Sequence, residues 1–326
     1  MILLVLVSDF ETVIMSAAAK EDDTMLFCAC CGTAGGDDIK LKKCTACYLV
    51  RYCSVKCQRE HRPKHKRECK KRVAELYDEL LFKQPESSHL GDCPICFFPL
   101  PLDPIRAVGE NSIITSCCTK QICMGCDYAN RLRERKERLP PTCPFCREDL
   151  SETDEEMNER WIKRAEANDP IAMNQLGTEK LGEVDYKAAF EYFTRAAALG
   201  DAEAHYHLYT MYQNGKGVEE DRKRELHHAE QAAIGGHPVA RHNLACMEGA
   251  RGQHDRAVKH LTIAAKLGYD KSLEHAKTLY KAGAVSKDDF TAILRGYQAA
   301  IVAAKSPQRE EAYEFLRQCE ARKKLA

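Results

Sequence analysis

The chain has 326 residues, 44% hydrophobic and 30% charged, with 49 Lys and Arg balanced by 49 Asp and Glu. That length suggests two or three domains, the composition excludes a disordered chain, and zero formal net charge excludes a molecule-wide attraction to nucleic acid or acidic membranes. Eighteen cysteines would suit a secreted disulfide scaffold, but such a protein needs a leader. Met1–Val7 is apolar, yet it lacks a basic flank and stops at Asp9 and Glu11, too short to span a bilayer. Residues 1–27 are expected to be a frayed segment, a stray strand or an over-extended start. The thiols are expected to lie in a reducing cytoplasm or nucleus, free to bind metal.

Sixteen of the eighteen cysteines fall between Cys28 and Cys146. The first block, residues 28–69, reads Cys28-x2-Cys31, Cys44-x2-Cys47, Cys53-x3-Cys57 and His65-x3-Cys69. Thiolate and imidazole at short paired intervals suit tetrahedral zinc, because a tight turn brings both members of a pair onto one ion. Cys30 competes with Cys31, and His61 with His65. Cys31 keeps the two-residue gap from Cys28, and only His65 keeps the three-residue gap to Cys69.

The order of these pairs, with Tyr52-Cys53-Ser54, Cys57-Gln58 and His65-Lys66, resembles the MYND finger. The resemblance implies two interleaved zinc sites, Cys28, Cys31, Cys53 and Cys57 on one ion and Cys44, Cys47, His65 and Cys69 on the other. It also implies binding of short proline-containing peptides. Arg62 stands where the family usually has tryptophan, which puts the peptide groove in doubt and leaves the ligands untouched.

From Cys28 to Arg72 thirteen Lys and Arg face four Asp and Glu. Few aromatics are interleaved for base stacking, so a solvated basic face is the expectation and nucleic acid is not an expected partner. A helix is expected from His65, with Val73, Leu76, Tyr77, Leu80 and Leu81 along one stripe. It should end before Pro85, making residues 70–92 a helix and linker.

The second block, residues 93–150, reads Cys93-Pro-Ile-Cys96, Cys117-Cys118, Cys123-x2-Cys126 and Cys143-Pro-Phe-Cys146. It resembles a RING domain in an all-cysteine form, with Lys120 where the usual histidine would stand. The resemblance implies one site from Cys93, Cys96, Cys123 and Cys126. The other comes from Cys117, Cys118, Cys143 and Cys146, with local strain at the vicinal pair. It further implies docking of a ubiquitin-charged conjugating enzyme through Ile95, Pro144 and Arg147. Such a domain holds the thioester in a reactive arrangement and makes no covalent bond itself.

Thr153 to Glu156 fits a capping box opening a connecting helix over 151–167, with Trp161 as its packing anchor. From residue 168 the cysteine pairs stop and a repeat begins: Ala196-Ala-Ala-Leu-Gly200, Ala232-Ala-Ile-Gly-Gly236 and Ala264-Ala-Lys-Leu-Gly268. Each is followed by a small residue, Ala204, Ala240 or Ser272, with Ala172 in the matching place of an earlier unit. Small residues let paired helices approach closely, glycine closes the second helix, and Asn214 to Val218 supplies an inter-helix turn. The pattern resembles Sel-one-like repeats, relatives of the tetratricopeptide family, in three to four units over 168–302. Residues 303–326 are expected to be a terminal helix or tail. His205, His207, His227 and His228 are expected in surface or packing roles, and Cys246 and Cys319 as isolated, inert thiols.

The expected fold is therefore multidomain: two small zinc-organised α+β modules followed by an all-α helical-repeat solenoid. The expected function is a zinc-binding adaptor holding four ions, with proteins or peptides as partners and RING-type ubiquitin ligase activity as its candidate chemistry. The alternative is a non-catalytic scaffold or a transcription- or chromatin-associated regulator whose zinc domains are purely structural. No phosphate loop, dinucleotide fingerprint or serine nucleophile elbow is present, and no membrane association is expected.

Overall fold

The computed structural model describes residues 27–36, 38–102, 112–150 and 153–325. The apolar run at the start of the chain lies outside them. They form two compact units, divided between Lys83 and Gln84.

The first unit contains a two-stranded antiparallel sheet, β1 (Lys42–Lys43) and β2 (Arg51–Tyr52), followed by helix α1 (Val55–Leu81). Its core is Cys28, Cys44, Cys47, Val50 and Tyr52, more thiol than hydrocarbon. The helix begins at Val55 rather than His65, because the Ser54 hydroxyl caps it by accepting from the Cys57 amide at 3.2 Å. It continues through Pro63, which removes one backbone bond from its interior. Cys57, His65 and Cys69 are thereby carried on one rigid rod.

The second unit begins with a matching small module. Strands β3 (Ser112–Ile114) and β4 (Gln121–Cys123) pair antiparallel, with Ile113 opposite Ile122, and helix α2 (Met124–Glu137) follows. Cys93, Leu100, Ile122, Cys123, Cys126 and Cys143 form its core. Connecting helix α3 (Asp154–Glu166) opens on the expected capping box between Thr153 and Glu156.

Helices then alternate as hairpins: α4 (Pro170–Gly182) with α5 (Tyr186–Ala198), α6 (Ala202–Asn214) with α7 (Arg222–Ile234), α8 (Pro238–Ala250) with α9 (His254–Lys266), and α10 (Asp270–Lys281) with α11 (Lys287–Ala303). Aspartates 169, 185, 201 and 221 cap α4 to α7 by accepting from backbone amides. Gly200, Gly236 and Gly268 turn from one hairpin to the next at φ of 86°, 86° and 93°. Ala172, Ala204, Ala240 and Ser272 are all fully buried at the crossings. Trp161 of α3 joins Met173, Leu176, Phe193 and Leu208 in one cluster, so the connecting helix is seated on the first repeat. An all-α solenoid behind two cysteine-organised modules is the architecture expected from sequence.

The final helix, α12 (Pro307–Leu325), does not extend the solenoid. It returns to α2, where Phe315 meets Tyr128 at a ring separation of 5.1 Å. No helix among the described residues is long and apolar enough to cross a membrane.

Candidate metal centres

The turns that present the cysteines share one backbone device. In each, the amide of the residue after the second cysteine bonds the carbonyl four residues back: Gly32 to Cys28, Tyr48 to Cys44, Phe97 to Cys93 and Arg147 to Cys143, at 2.8–3.0 Å. Closing so tight a loop puts that residue in the left-handed region, with φ of 74°, 56°, 58° and 66°. Only Gly32 adopts this without a Cβ penalty. In the free chain the other three turns are opposed by that conformational cost.

The structure brings all sixteen candidate ligands into four sets, each with its donor atoms within 4.8 Å of one another. Cys28, Cys31, Cys53 and Cys57 form one, in which Cys31 and Cys57 each lie 3.6 Å from Cys53. Cys44, Cys47, His65 and Cys69 form the next, with Cys47 Sγ 3.2 Å from His65 Nε2 and Cys44 4.0 Å from Cys69. In the third, Cys93 lies 3.9 Å from Cys126 and Cys96 3.7 Å from Cys123. In the fourth, Cys118 lies 3.8 Å from Cys143 and Cys117 3.4 Å from Cys146.

All these cysteines are free thiols. A tetrahedral ion with Zn–S bonds of about 2.3 Å holds its sulfurs about 3.8 Å apart, so the spacing and the donor chemistry both fit zinc. Without a cation, so many sulfurs cannot all ionise. The hydrogen bond from Cys123 holds Cys93 down to about 4, against burial, while the same contact and burial push Cys123 up. A divalent ion removes that conflict by stabilising every thiolate at once.

Cys31, not Cys30, stands in the first set; Cys30 Sγ lies 3.9 Å from the Glu60 carboxylate. His61 bonds the Tyr52 hydroxyl at 3.1 Å and stacks on His65.

The vicinal pair has a specific structural basis. Thr119 takes φ of 55° and its amide bonds the Thr115 carbonyl at 3.0 Å. Thr115 therefore occupies the place of a first cysteine in this turn, and Cys117 supplies the missing thiol from two residues later. The Thr115 hydroxyl lies 3.3 Å, 3.4 Å and 3.5 Å from the sulfurs of Cys117, Cys118 and Cys143. The solenoid steadies the turn: Arg164 of α3 donates to the carbonyls of Ser116 and Cys117, and Thr119 donates to Asp169 at 2.8 Å. Asp169 also caps α4 and pairs with Arg164 at 3.2 Å.

The third set is held from the opposite end of the chain. Arg309 of α12 is only 1% exposed. Its guanidinium donates to the carbonyls of Pro99 and Phe98 at 2.7 Å and 3.1 Å, and to Cys96 Sγ at 3.4 Å. Gly125 makes room for it, since a Cβ there would come within 2.9 Å of Arg309. A third link joins the segment before Cys93 to the repeats. The half-buried Glu203 lies 2.8 Å from His89 Nε2 and 3.1 Å from His237 Nε2, and its carboxyl is held well below the ordinary range because its contacts with these histidines outweigh desolvation.

The residues expected to touch a conjugating enzyme fare unequally. Ile95 is 37% exposed. Pro144 is buried, and Phe145 beside it is an exposed apolar residue of the same turn. Arg147 is exposed, with Nη1 donating to Asn130 Oδ1 at 2.6 Å.

Among the repeat histidines, His207 stacks on Phe193 at 4.3 Å, His228 stacks on Tyr212 at 5.5 Å, and His205 meets His228 at 3.0 Å; these are packing roles. Cys246 is not isolated, since His242 and His275 lie beside it.

Sequence reasoning missed Ser54, Thr115, Arg164, Asp169 and Arg309. Ser54 carried a legible signal as a cap before an amphipathic run, and Thr115-x2-Cys118 repeats the two-residue spacing with a hydroxyl for a thiol. Arg309 carried none.

Residues 28–69 match the MYND finger family, and residues 170–201, 202–237 and 238–269 each match the Sel1 repeat. A MYND finger joined to Sel1 repeats defines a zinc-binding protein-interaction adaptor. Among curated proteins, DAP3-binding cell death enhancer 1 of Mus musculus is 27% identical over 180 residues, covering 43% of this chain and 35% of that protein. The Rattus norvegicus protein of the same name is 39% identical over 56 residues, covering 17% of this chain and 11% of its own length. The chain thus spans about a third or less of these relatives. Of solved structures, a Sel1 repeat protein from Oxalobacter formigenes aligns with a TM-score of 0.41 and 21% identity, over 55% of this chain and 72% of that one. The protective antigen c5321 of uropathogenic Escherichia coli strains, which displays an SLR fold, aligns with 0.38 and 20%, over 59% and 40%.

Proposed function

We propose that the chain is an adaptor organised by four zinc ions, in which the second cysteine module acts as a RING-type ubiquitin ligase domain and the MYND finger and repeats select the protein to be modified. The observation that carries this reading is the union of the second module with the solenoid in one compact unit, made by Arg164, Asp169, Arg309 and the His89–Glu203–His237 contacts. A ligase works by orientation. A conjugating enzyme docked on the module would stand at a fixed position relative to whatever the repeats hold. Ile95 and Phe145 would give it an apolar footing, and Arg147 a hydrogen-bond donor once released from Asn130. The names of the relatives make a DAP3-type protein the first partner to test.

Discharge of ubiquitin from a panel of charged conjugating enzymes tests the ligase reading. Stimulation by wild type that falls at least tenfold in Ile95→Ala and Arg147→Ala is expected. No stimulation across the panel by folded, zinc-loaded protein overturns it. The second reading, a non-catalytic scaffold, draws on the burial of Pro144 and the Arg147–Asn130 bond, which leave fewer groups facing outward. Under that reading the panel stays silent while partner binding by the repeats persists.

A further inference from the structure

Between the third and fourth hairpins, α8 and α10 set three donor atoms side by side. His242 and Cys246 are one turn apart on α8, with Nε2 3.8 Å from Sγ, and His275 of α10 places Nδ1 3.9 Å from the same sulfur. All three lie within 4.8 Å of one another. In a tetrahedral zinc site with Zn–S of about 2.3 Å and Zn–N of about 2.0–2.1 Å, sulfur and nitrogen stand about 3.6 Å apart. Both sulfur–nitrogen separations are therefore within a few tenths of an ångström of those of a closed site. We propose that His242, Cys246 and His275 form a further zinc site, separate from the sixteen ligands of the two cysteine modules.

A second observation supports it. At the helix crossings the repeat uses Ala172, Ala204 and Ala240, but the fourth unit uses Ser272, fully buried at the same position. Its hydroxyl lies 3.0 Å from His242 Nδ1. A serine hydroxyl that accepts a hydrogen bond from Nδ1–H fixes the tautomer whose lone pair is on Nε2, the atom that faces Cys246. Metal-binding histidines are commonly fixed by a bond of this kind on the second ring nitrogen. In the preceding hairpin, Tyr206 and Thr210 stand where α8 has His242 and Cys246, so the repeat pattern itself does not require these donors. The Tyr269 ring meets His242 edge-on at 5.5 Å and walls one side, whereas Cys246 is exposed.

Three protein ligands and one open side is the arrangement that keeps a zinc coordination position for water or an incoming donor. Because α8 and α10 are the leading helices of successive hairpins, an ion here would fix the spacing between two units. It would also offer a partner protein a point of coordination.

The test uses the full chain produced with excess zinc, freed of loose metal by gel filtration and weighed by native mass spectrometry. Cys246→Ala and His275→Ala should each carry one zinc fewer than wild type, with unchanged helical circular dichroism. Cys246 of wild type should resist iodoacetamide until a chelator is added. Equal metal counts in wild type and both variants overturn the site, as does alkylation of Cys246 at one rate with and without zinc. The readout is a difference of one ion between proteins, so it stands whatever number the two cysteine modules hold.

Discussion

The two cysteine modules present similar turns and similar four-donor sets, yet they are supported differently. The first has a core made mostly of its own ligands, beside one helix that itself carries three of them. The second is gripped by residues far away in sequence: Arg164 and Asp169 at the vicinal cysteine turn, and Arg309 beside Cys96. In a domain with a core of this kind, metal binding and folding are expected to be one event, while the second module takes contacts from the solenoid. Eight donors at regular spacing complete both donor sets of the first from its own residues. Losing a regular first cysteine at Thr115 goes together with outside support in the second.

The sharpest way to break that contrast is to remove the metal. Chelation should abolish protease protection over residues 28–69, since a structural zinc site supplies on the order of 10–16 kcal/mol to folding, and leave the solenoid helices intact. Peptide-resolved limited proteolysis reads both at once. A finger that stays protected without metal would show that its few apolar residues suffice.

Acid tests the solenoid's own share. Burial lowers His205 and His237 to about 4, His260 to about 3 and His228 to about 2, so the native state refuses protons that the unfolded chain accepts. Their contribution is present above the ordinary histidine value of 6.5 and is lost as pH falls below it. His237 faces Glu203, His89 and His207, and burial is the largest cause of its shift. Trp161, the single tryptophan, sits in the cluster of the first repeat. Its fluorescence melting point should drop between pH 7 and 5 with zinc in excess. A flat profile would mean these histidines are charged in the fold.

A narrower lever is Arg309→Ala, which removes the buried donor shared by the Pro99 and Phe98 carbonyls and the Cys96 sulfur and should cost about 2–4 kcal/mol. Zinc release from the second module should accelerate at least tenfold, with release from the first unchanged, as followed by a colorimetric chelator and peptide alkylation. Equal effects on both modules would erase the distinction between them. Smallest is Arg164→Ala, which frees the carbonyls of Ser116 and Cys117 and should cost about 1–2 kcal/mol, felt chiefly as faster alkylation of Cys117 and Cys118.

What was legible in the sequence was what is local. Paired ligands, the Thr153 cap, the alanine crossings and the inter-unit glycines each lie within one turn or one hairpin, and the structure places them as expected. The start of α1 was misplaced because the apolar stripe begins after His65, whereas the cap at Ser54 and the metal ligands govern the first two turns. The union of the second module with the repeats could not be read, because its contacts join residues about 50 or 210 positions apart. The burial of Pro144 is likewise a matter of packing that a two-residue spacing does not encode. The trio at Cys246 escaped because its third member sits on another hairpin.

The reach of Arg309 to Cys96 also sets an order of events during synthesis. Cys126, the last ligand of that site, leaves the ribosome about 180 residues before Arg309 does, which at roughly 5–20 residues per second is about 10–40 s. For that interval the nascent module has its thiols but not the helix that steadies them. Metal delivery, or protection of those sulfurs from oxidation, is most consequential while the repeats are still being made.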